Sequence, residues 1–228
     1  MIASKAALGA TAVVIPAWNA ARHLAGVLER VAVFKLPVIV VDDGSDDGSG
    51  ALARAHGVHV VVHPRNLGKG AALASGIDKA RSLDMQFVIT LDADGQHNPD
   101  EIPRFIERQA ATGADVIVGN RMGERGDMPP LRVFANRVTS AFVSLRAHAR
   151  VPDSQNGYRM LRTSLFDRLR LETTRYDTES EILIKAGRAG AKIDSVPVET
   201  IYGTEKSGVN PLVDTLRFLR LVLKSLFW

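Results

Sequence analysis

The sequence predicts an α/β fold in which a mostly parallel sheet is flanked by helices within a single domain, residues 1–228. Through the first 120 residues, short apolar runs rich in β-branched residues alternate with longer amphipathic segments, which is typical of helix-covered parallel sheets. The run P-V-I-V-V at residues 37–41 has no polar member, as expected of a strand buried on both faces. A chain of 228 residues suits one core and is short for two.

In this first part, strands are predicted over residues 11–16, 37–41, 58–62, 87–91 and 115–119. The helices between them are predicted over about residues 20–33, capped by Asn19, and over 50–56, 70–81 and 99–112. After residue 121 the pattern changes to a turn-rich loop followed by a basic amphipathic helix over residues 131–148. The remaining predictions are a helix over 176–190, a strand near 193–201, a polar loop at 203–210 and an amphipathic helix over 211–228.

Composition limits the classes of function. The chain has no cysteine, which excludes disulfides, thiolate metal sites and cysteine nucleophiles. Residues 1–100 carry 9 Lys/Arg and 10 Asp/Glu, whereas residues 101–228 carry 20 and 15. The basic second half suggests an anionic partner, although a solvated surface has the same composition. No secretory signal and no membrane-spanning run of about 18–20 apolar residues is predicted.

An acidic segment, D-A-D-G-Q-H at residues 92–97, follows the fourth predicted strand. Asp92 and Asp94 are two residues apart at a strand end, so both side chains are expected on one side of the chain. Two carboxylates together with diphosphate oxygens are the hard ligands that Mg²⁺ and Mn²⁺ prefer, and Gln96 adds an amide oxygen. The segment therefore predicts a divalent metal site that neutralises charge on a leaving diphosphate.

Two more polar segments follow predicted strands, where ligands bind in open α/β sheets. Residues 42–49 read D-D-G-S-D-D-G-S; their carboxylates suit hydrogen bonds from a nucleobase or ribose, and the alternative is a set of turns and helix caps. Residues 66–70, N-L-G-K-G, open a helix and suit an anion through Lys69, but an ordinary strand-to-helix turn has the same pattern.

The arginines of the second half suggest a separate, anionic substrate, because guanidinium groups bind phosphate through paired hydrogen bonds. Each alone would also fit a surface ion pair. The arginines considered are Arg121, Arg132, Arg137 and Arg159.

Two further features, a group of histidines and the C-terminal helix, do not by themselves indicate a function. His56, His59 and His63 are close enough in sequence to suggest zinc, but no acidic or thiolate ligand is near them. The predicted helix over residues 211–228 combines basic residues with terminal aromatics. It fits either a helix lying on a membrane surface or one packed on its own domain.

Taken in order, these segments resemble glycosyltransferase family 2 and, within it, the dolichol-phosphate and polyprenyl-phosphate sugar transferases. The resemblance covers nearly the whole chain through V-V-I-P-A-W-N, D-D-G-S-D-D-G-S, N-L-G-K-G, D-A-D-G-Q-H, G-N-R, D-S-Q-N-G-Y-R and Y-G-T-E-K-S-G. It implies the Rossmann-like GT-A fold, with a nucleotide-sugar-binding half of about residues 1–122 and an acceptor-binding half of about residues 123–228.

The resemblance also implies roles for residues at matching positions. Those implied in donor binding are Pro16, Asn19, Asp42, Asp43, Lys69, Asp92 and Lys206, the last closing over the donor diphosphate. Those implied in metal binding are Asp92, Asp94 and Gln96. Those implied in acceptor binding are Arg121, Arg132, Arg137, Asp153, Gln155 and Arg159. The predicted catalytic residues are Asp94, which also approaches the sugar, and Arg121.

The sequence thus predicts an inverting glycosyltransferase, dependent on Mg²⁺ or Mn²⁺, that moves a sugar from a UDP- or GDP-sugar to a polyprenyl phosphate. We expect a cytoplasmic protein held peripherally on the inner face of the membrane, with no nucleic acid partner. The alternatives are a family 2 enzyme with a saccharide hydroxyl acceptor, which would need a general base, and a nucleotide-sugar-binding protein without turnover. Dinucleotide-binding oxidoreductases and nucleotidylyltransferases are disfavoured, because P-A-W-N follows the first strand instead of a glycine-rich loop.

Overall fold

A computed structural model of the chain describes residues 10–123, 128–175, 177–199, 201, 218, 220–225 and 228. Within these residues the strands form one sheet of order β3-β2-β1-β4-β6-β5-β7. Neighbouring strands are parallel except for β6, which is antiparallel to both β4 and β5. The strands are β1 (Thr11–Ala17), β2 (Val38–Asp42), β3 (His59–Val62), β4 (Phe87–Thr90), β5 (Val116–Asn120), β6 (Arg159–Arg162) and β7 (Ile193–Pro197). The predicted mostly parallel α/β sheet is confirmed.

Helices connect these strands and cover the sheet. They are α1 (Ala21–Ala32), α2 (Ser49–Ala55), α3 (Lys69–Ser82), α4 (Ile102–Thr112), α5 (Pro130–Ala147) and α6 (Asp177–Arg188). Short 3₁₀ turns occupy Pro99–Glu101 before α4 and Thr163–Asp167 after β6. The basic amphipathic helix predicted over residues 131–148 is α5, and the helix predicted over 176–190 is α6.

The sheet separates two apolar cores, because successive side chains of a strand point to opposite faces. Val13 and Ile15 of β1 contribute to the core beneath α1, α2 and α4. Ala12 and Val14 of the same strand contribute to the core beneath α3, α5 and α6. This double burial explains why the strands read as continuous apolar runs.

Three sequence predictions need correction. Asn19 does not cap α1: its φ is 50°, and the first amides of the helix are bonded by Ser49 Oγ and Asp47 Oδ2 from the next loop, at 2.9 and 2.8 Å. Strand β6 was not predicted, because its segment was interpreted only as part of a functional motif. The strand expected near 193–201 ends at Pro197.

The described part of the C-terminal segment packs on its own domain. The Phe218 ring meets the Phe142 ring of α5 edge-on at 5.9 Å, and Leu221 is buried. Lys185 Nζ of α6 lies 4.2 Å from the centre of the Trp228 ring. The loop predicted at 203–210 and most of the helix predicted over 211–228 lie outside the described residues. None of the helices in the described ranges has the length and apolar character needed to cross a bilayer.

Two glycines in the middle of helices differ in their surroundings. Gly76 of α3 faces the sheet, and a Cβ added there would lie 2.4 Å from Val14 Cγ1 and 3.2 Å from Val41 Cγ2. Gly26 of α1 is exposed and has no atom within 4 Å of an added Cβ. The absent side chain at Gly76 therefore sets how closely α3 approaches β1 and β2.

We predict opposite effects of alanine at these two positions. Gly76→Ala should lower the free energy of unfolding by about 1–3 kcal/mol, because the methyl group overpacks the interface with the sheet. Gly26→Ala should raise it by about 0.5–1 kcal/mol through helix propensity alone. Urea unfolding of both variants checks this, and a Gly76→Ala protein as stable as Gly26→Ala would contradict the packing described.

Candidate active site

The predicted site residues converge on one edge of the sheet. Ala17 of β1 is aligned with Asp42 of β2, and Val14 of β1 with Thr90 of β4, so the segments after these three parallel strands emerge together. Strand β6 runs the other way, and its first residue, Arg159, lies opposite Thr90. The D-S-Q-N-G-Y segment before β6 therefore enters the same edge, beside the acidic segment after β4.

The acidic segment of residues 92–97 is held by contacts to Lys69 and Tyr158 and by hydrogen bonds within the segment. Asp92 Oδ1 lies 2.6 Å from Lys69 Nζ, and the Asp92 amide donates to His97 Nδ1 at 3.1 Å. Asp94 Oδ1 accepts a hydrogen bond of 2.9 Å from the Gln96 amide. His97 is buried and stacks on the Tyr158 ring with centroids 5.1 Å apart. These bonds fix the turn that presents both carboxylates at the edge.

The two carboxylates have opposite electrostatic environments. Burial alone would raise the pKa of Asp92, but the Lys69 ammonium outweighs burial and, with His97, lowers it to about 2. Burial also raises the pKa of Asp94, and there the negative charge of Asp92 adds to the increase. Asp94 is thus the carboxylate whose charge is poorly compensated by the protein.

Lys69 bridges Asp92 to a third carboxylate. Its Nζ lies 2.8 Å from Oε1 of Glu179 on α6, and the side chain of Glu179 is almost fully buried. Burial would lower the pKa of Lys69, but the charges of Asp92 and Glu179 outweigh burial and raise it above its usual value. Gly157 closes over this bridge, since an added Cβ would lie within 3.3 Å of all three side chains.

The donor set at this edge fits a divalent cation. Asp92 and Asp94 repel each other, which a shared cation would relieve, and hard oxygen ligands are what Mg²⁺ and Mn²⁺ prefer. Gln96 is partly exposed beside them. Among the described residues no group of three His, Cys, Asp or Glu forms a metal cluster, so water and ligand oxygens would have to complete the coordination.

A second charged pair lies on the acceptor side predicted from the sequence. Arg121 donates to both oxygens of Asp153, from Nε at 2.7 Å and from Nη2 at 2.9 Å, and both residues are buried. Asn136 of α5 also donates to Asp153, at 2.7 Å. Burial would raise the pKa of Asp153, but these bonds, led by the one from Arg121, outweigh burial and lower it.

The other predicted acceptor residues have different surroundings. Arg159 is buried, and its three nitrogens donate to the main-chain carbonyls of residues 154, 156 and 179, a structural arrangement. Gln155 is exposed and donates to Thr139 Oγ1 of α5 at 3.2 Å. Arg132 and Arg137 are exposed on α5.

Of the donor-side predictions, Asp43 has the most structural contacts. It accepts hydrogen bonds from the amides of Leu67 and Gly68 at 2.9 and 2.8 Å, and His63 Nδ1 lies 2.6 Å from its Oδ1. The carboxylate of Asp42 accepts one bond, from the Ser45 amide at 3.0 Å. The motif at residues 42–49 therefore serves in large part to tie loops together, as the turn-and-cap alternative expected.

The remaining donor-side predictions lie at the same edge or outside the described residues. Pro16 is half-buried at the end of β1, and Asn19 is exposed, with its Oδ1 accepting from the Asp46 amide at 3.0 Å. Lys206 lies outside the described residues. Ile201, which precedes its segment, donates to the Gln96 carbonyl at 3.0 Å.

The histidines do not form a zinc site. His63 is buried and uses both ring nitrogens, towards Asp43 Oδ1 and towards Ser75 Oγ at 2.9 Å. His56 and His59 are exposed.

Sequence reasoning missed Glu179 and gave no role to His97. Glu179 belongs to a helix with several acidic residues, and no local pattern distinguishes it from its neighbours. His97 could have been identified from its place in D-A-D-G-Q-H, five residues after Asp92, with which it shares a hydrogen bond.

Comparison with known proteins agrees with this geometry. The family model described as Glycosyl transferase family 2 matches residues 12–170. The UDP-N-acetylglucosamine–dolichyl-phosphate N-acetylglucosaminyltransferase of Methanococcus voltae is 31% identical over 92% of this chain and 94% of its own. The polyprenol monophosphomannose synthase of Mycolicibacterium smegmatis is 29% identical over 82% of this chain and 76% of its own.

A solved structure shares the fold. Glucosyl-3-phosphoglycerate synthase from Mycobacterium tuberculosis, in complex with Mn²⁺ and UDP-glucose, superposes with a TM-score of 0.72 at 22% identity. The alignment covers 97% of this chain and 80% of that one. The expected GT-A architecture is thereby confirmed.

We predict that Lys69→Met lowers the free energy of unfolding by about 3 kcal/mol at pH 7, because Asp92 and Glu179 lose their shared cation. In the wild type the folded pKa of Asp92, about 2, lies below the usual value of an aspartate, so the stability that Asp92 contributes is present above that usual value and is lost as the pH falls towards 2. The gap between variant and wild type should therefore narrow as the pH falls from 7 to 3.

Urea unfolding at several pH values measures this gap. The control is Lys79→Met on the same helix, which should stay within about 0.5 kcal/mol of the wild type. A Lys69→Met protein with the same small effect would show that the bridge does not stabilise the fold.

Proposed function

The chain belongs to glycosyl transferase family 2 and is a glycosyltransferase, and on this premise we propose that it transfers a sugar from a UDP- or GDP-sugar to a polyprenyl phosphate. The observation that carries the proposal is the convergence of two charged groups at one sheet edge. The paired carboxylates after β4 suit a metal and diphosphate, and the Arg121–Asp153 pair before β6 suits an anionic acceptor. The names of the two relatives, both transferases acting on polyprenyl-type phosphates, support the same acceptor class.

On the donor side, Asp92, Asp94 and Gln96 would hold Mg²⁺ or Mn²⁺, the ions that two structures of glucosyl-3-phosphoglycerate synthase contain. When bound, such an ion supplies positive charge to the leaving diphosphate. Between the two aspartates of residues 42 and 43, the contacts favour Asp42 for the base or ribose, because Asp43 is engaged by two amides and a histidine. Pro16 and Asn19 would line the same pocket, and Lys206 would contact the diphosphate.

Lys69 acts in this proposal by orienting Asp92. Its ammonium is shared between Asp92 and Glu179 at 2.6 and 2.8 Å, so it keeps Asp92 ionised and fixed next to the donor. A fixed charge beside the reacting groups needs no reorganisation during transfer. Any contribution of Lys69 to donor binding therefore comes mainly through this carboxylate.

On the acceptor side, Arg121 is the residue best placed to bind a phosphate. Asp153 fixes its guanidinium plane, while Asn136 holds Asp153 from α5. Gln155, Arg132 and Arg137 lie on the exposed surface next to this network and would extend the contact. Arg159 would serve by holding the main chain of the D-S-Q-N-G-Y segment in place.

The reaction needs no proton transfer. An anionic oxygen of the acceptor phosphate attacks the anomeric carbon from the side opposite the leaving diphosphate, forming the new carbon–oxygen bond as the bond to the diphosphate breaks. The nucleoside diphosphate leaves with the electron pair, and the configuration at the anomeric carbon is inverted. Asp153, which is ion-paired with Arg121 and has a lowered pKa, would be a poor general base for a saccharide hydroxyl.

The function is tested by mixing the purified protein and Mn²⁺ or Mg²⁺ with radiolabelled UDP-N-acetylglucosamine, UDP-glucose or GDP-mannose, with and without a polyprenyl phosphate. We expect label in the organic phase only with metal, lipid phosphate and one donor. Metal-dependent nucleotide release on adding saccharides, without lipid product, would show that the acceptor is a saccharide and not a lipid phosphate. Absence of turnover with every donor would support a nucleotide-sugar-binding protein without turnover.

A further prediction separates the functional from the structural role of Asp94. Asp94→Asn keeps an oxygen for the Gln96 amide but removes the charge that Asp92 repels, so the metal-free protein should unfold a few degrees higher than the wild type. The same variant should lose transfer activity by at least about 100-fold. Differential scanning calorimetry in EDTA and the radiolabel assay measure the two effects.

Asp194→Asn is the matched control. Asp194 lies on the edge strand β7 and forms an ion pair with Arg108 of α4. It should leave transfer unchanged. An Asp94→Asn enzyme that transfers sugar at the wild-type rate would remove Asp94 from the site.

A further inference from the structure

One face of helix α1 lines a cavity of about 190 Å³ to which the proposed function gives no role. The α1 residues that line it share one face of the helix, and they are His23, Gly26, Val27 and Arg30. The chain after β4 also lines it, at His97 and Pro99. We call this space the α1 cavity. Of the residues assigned above to the donor, the metal or the acceptor, none that the structure describes lines it.

His97 presents an N–H group to this cavity. The Asp92 amide donates to His97 Nδ1, so Nδ1 has no proton and the neutral ring carries its proton on Nε2. The two nitrogens lie on opposite sides of an imidazole ring, so Nε2 is turned away from Asp92 and towards the cavity that the ring lines. His97 is only 7% exposed, and Nε2 has no hydrogen-bond partner among the described residues. A buried donor of this kind needs an acceptor, and the cavity has room for one.

Gly26 keeps the cavity open. A glycine in the middle of a helix lowers stability relative to alanine. At Gly76 the close contact with the sheet explains the glycine, but a Cβ added at Gly26 would have no described atom within 4 Å. Packing therefore does not require a glycine at position 26. Its effect is to leave space on the helix face that carries His23 and Arg30.

The charges around the cavity favour a ligand with a single negative charge. Arg30 donates from Nη2 to Asn98 and to Asp100, the latter at 2.9 Å, so part of its charge is already compensated. Its Nε and Nη1 are not bonded to any described residue. The negative charge of Asp94 acts on His97 and opposes a second charge on the ligand. One imidazole N–H and one guanidinium suit a carboxylate, whereas a phosphate dianion is usually bound by more donors.

The size and the apolar part of the lining favour a short hydrocarbon group on that carboxylate. Val27 and Pro99 are buried and contribute apolar surface to the cavity. A cavity of about 150 Å³ is large enough for benzene, which has six heavy atoms. A carboxylate with three or four carbons in total therefore fits the volume.

We propose that the α1 cavity binds a small monocarboxylate. One oxygen accepts from His97 Nε2, the carboxylate pairs with Arg30, and the hydrocarbon part packs on Val27 and Pro99. An acceptor at Nε2 makes Nδ1 a better acceptor for the Asp92 amide, because hydrogen bonds in a chain polarise one another. Occupancy of the cavity therefore steadies the turn that carries the Asp92 carboxylate. This binding does not depend on the sugar donor or acceptor, so it is measurable without turnover.

The test is a titration with butyrate at constant ionic strength, followed by ¹H–¹⁵N NMR of the histidine rings in protein stripped of metal on a chelating resin. The chain has six histidines, and the signal absent from His97→Asn identifies His97. We expect its Nε2 resonance to shift until the site saturates. Butyrate should bind about tenfold more tightly than acetate, because two more CH₂ groups leave water, and phosphate should bind more weakly than butyrate. Solvent exchange of the Asp92 amide should slow about twofold with butyrate bound.

Gly26→Leu places a side chain in the cavity and should weaken butyrate binding at least about tenfold. Its melting temperature should not fall, because leucine favours the helix and its Cβ meets no described atom. The control is Ala111→Leu at an exposed position of α4, which should bind butyrate like the wild type.

Four results would overturn the proposal. The first two are a His97 signal that butyrate does not move and a Gly26→Leu protein that binds butyrate like the wild type. Tighter binding of phosphate than of butyrate would contradict the class of ligand. Displacement of butyrate by UDP would show that the cavity is part of the donor pocket and not a separate site.

Discussion

The ammonium of Lys69 lies between Asp92 and Glu179, and the site depends on this bridge. Lys69 begins α3, Asp92 follows β4 and Glu179 belongs to α6, so three separate elements meet at one cation. Lys69 compensates the charge of Asp92, but the charge of Asp94 is poorly compensated. The pKa of Asp94 is raised by burial and by the negative charge of Asp92. A fold that keeps such a charge beside a second carboxylate gives up stability, which is characteristic of sites built for a charged ligand.

Strand β6 extends this arrangement to Arg121 and Asp153. Because β6 is antiparallel in an otherwise parallel sheet, the D-S-Q-N-G-Y segment enters the edge where the neighbouring strands end. It brings Asp153 to Arg121 after β5 and Gly157 to the Lys69 bridge. Helix α5 then holds Asp153 through a hydrogen bond from Asn136. The two aspartates after β4 and the Arg121–Asp153 pair thus lie around one sheet edge.

The sequence predicts which residues lie at the functional edge of the sheet, but it does not predict the contacts that hold those residues in place. Asp92 and Asp94 could be identified because they directly follow a buried apolar run, which fixes their place at a strand end. The contacts that link distant segments could not be identified. Asp47 and Ser49 accept hydrogen bonds from the amides at the start of α1, more than 25 residues earlier in the chain. Glu179 of α6 forms an ion pair with Lys69 of α3. The strand β6 is only four residues long and has no alternating pattern, so the sequence does not indicate it.

The metal site is tested most directly by a Mn²⁺ titration of the wild-type protein followed by electron paramagnetic resonance, with and without UDP. Bound Mn²⁺ loses the sharp signal of the free ion. We expect that the protein binds one Mn²⁺, that UDP tightens this binding by adding diphosphate oxygens, and that Asp94→Asn abolishes it. Undiminished free-ion signal in the presence of wild-type protein and UDP would contradict the claim that this edge is built for a metal-bound donor.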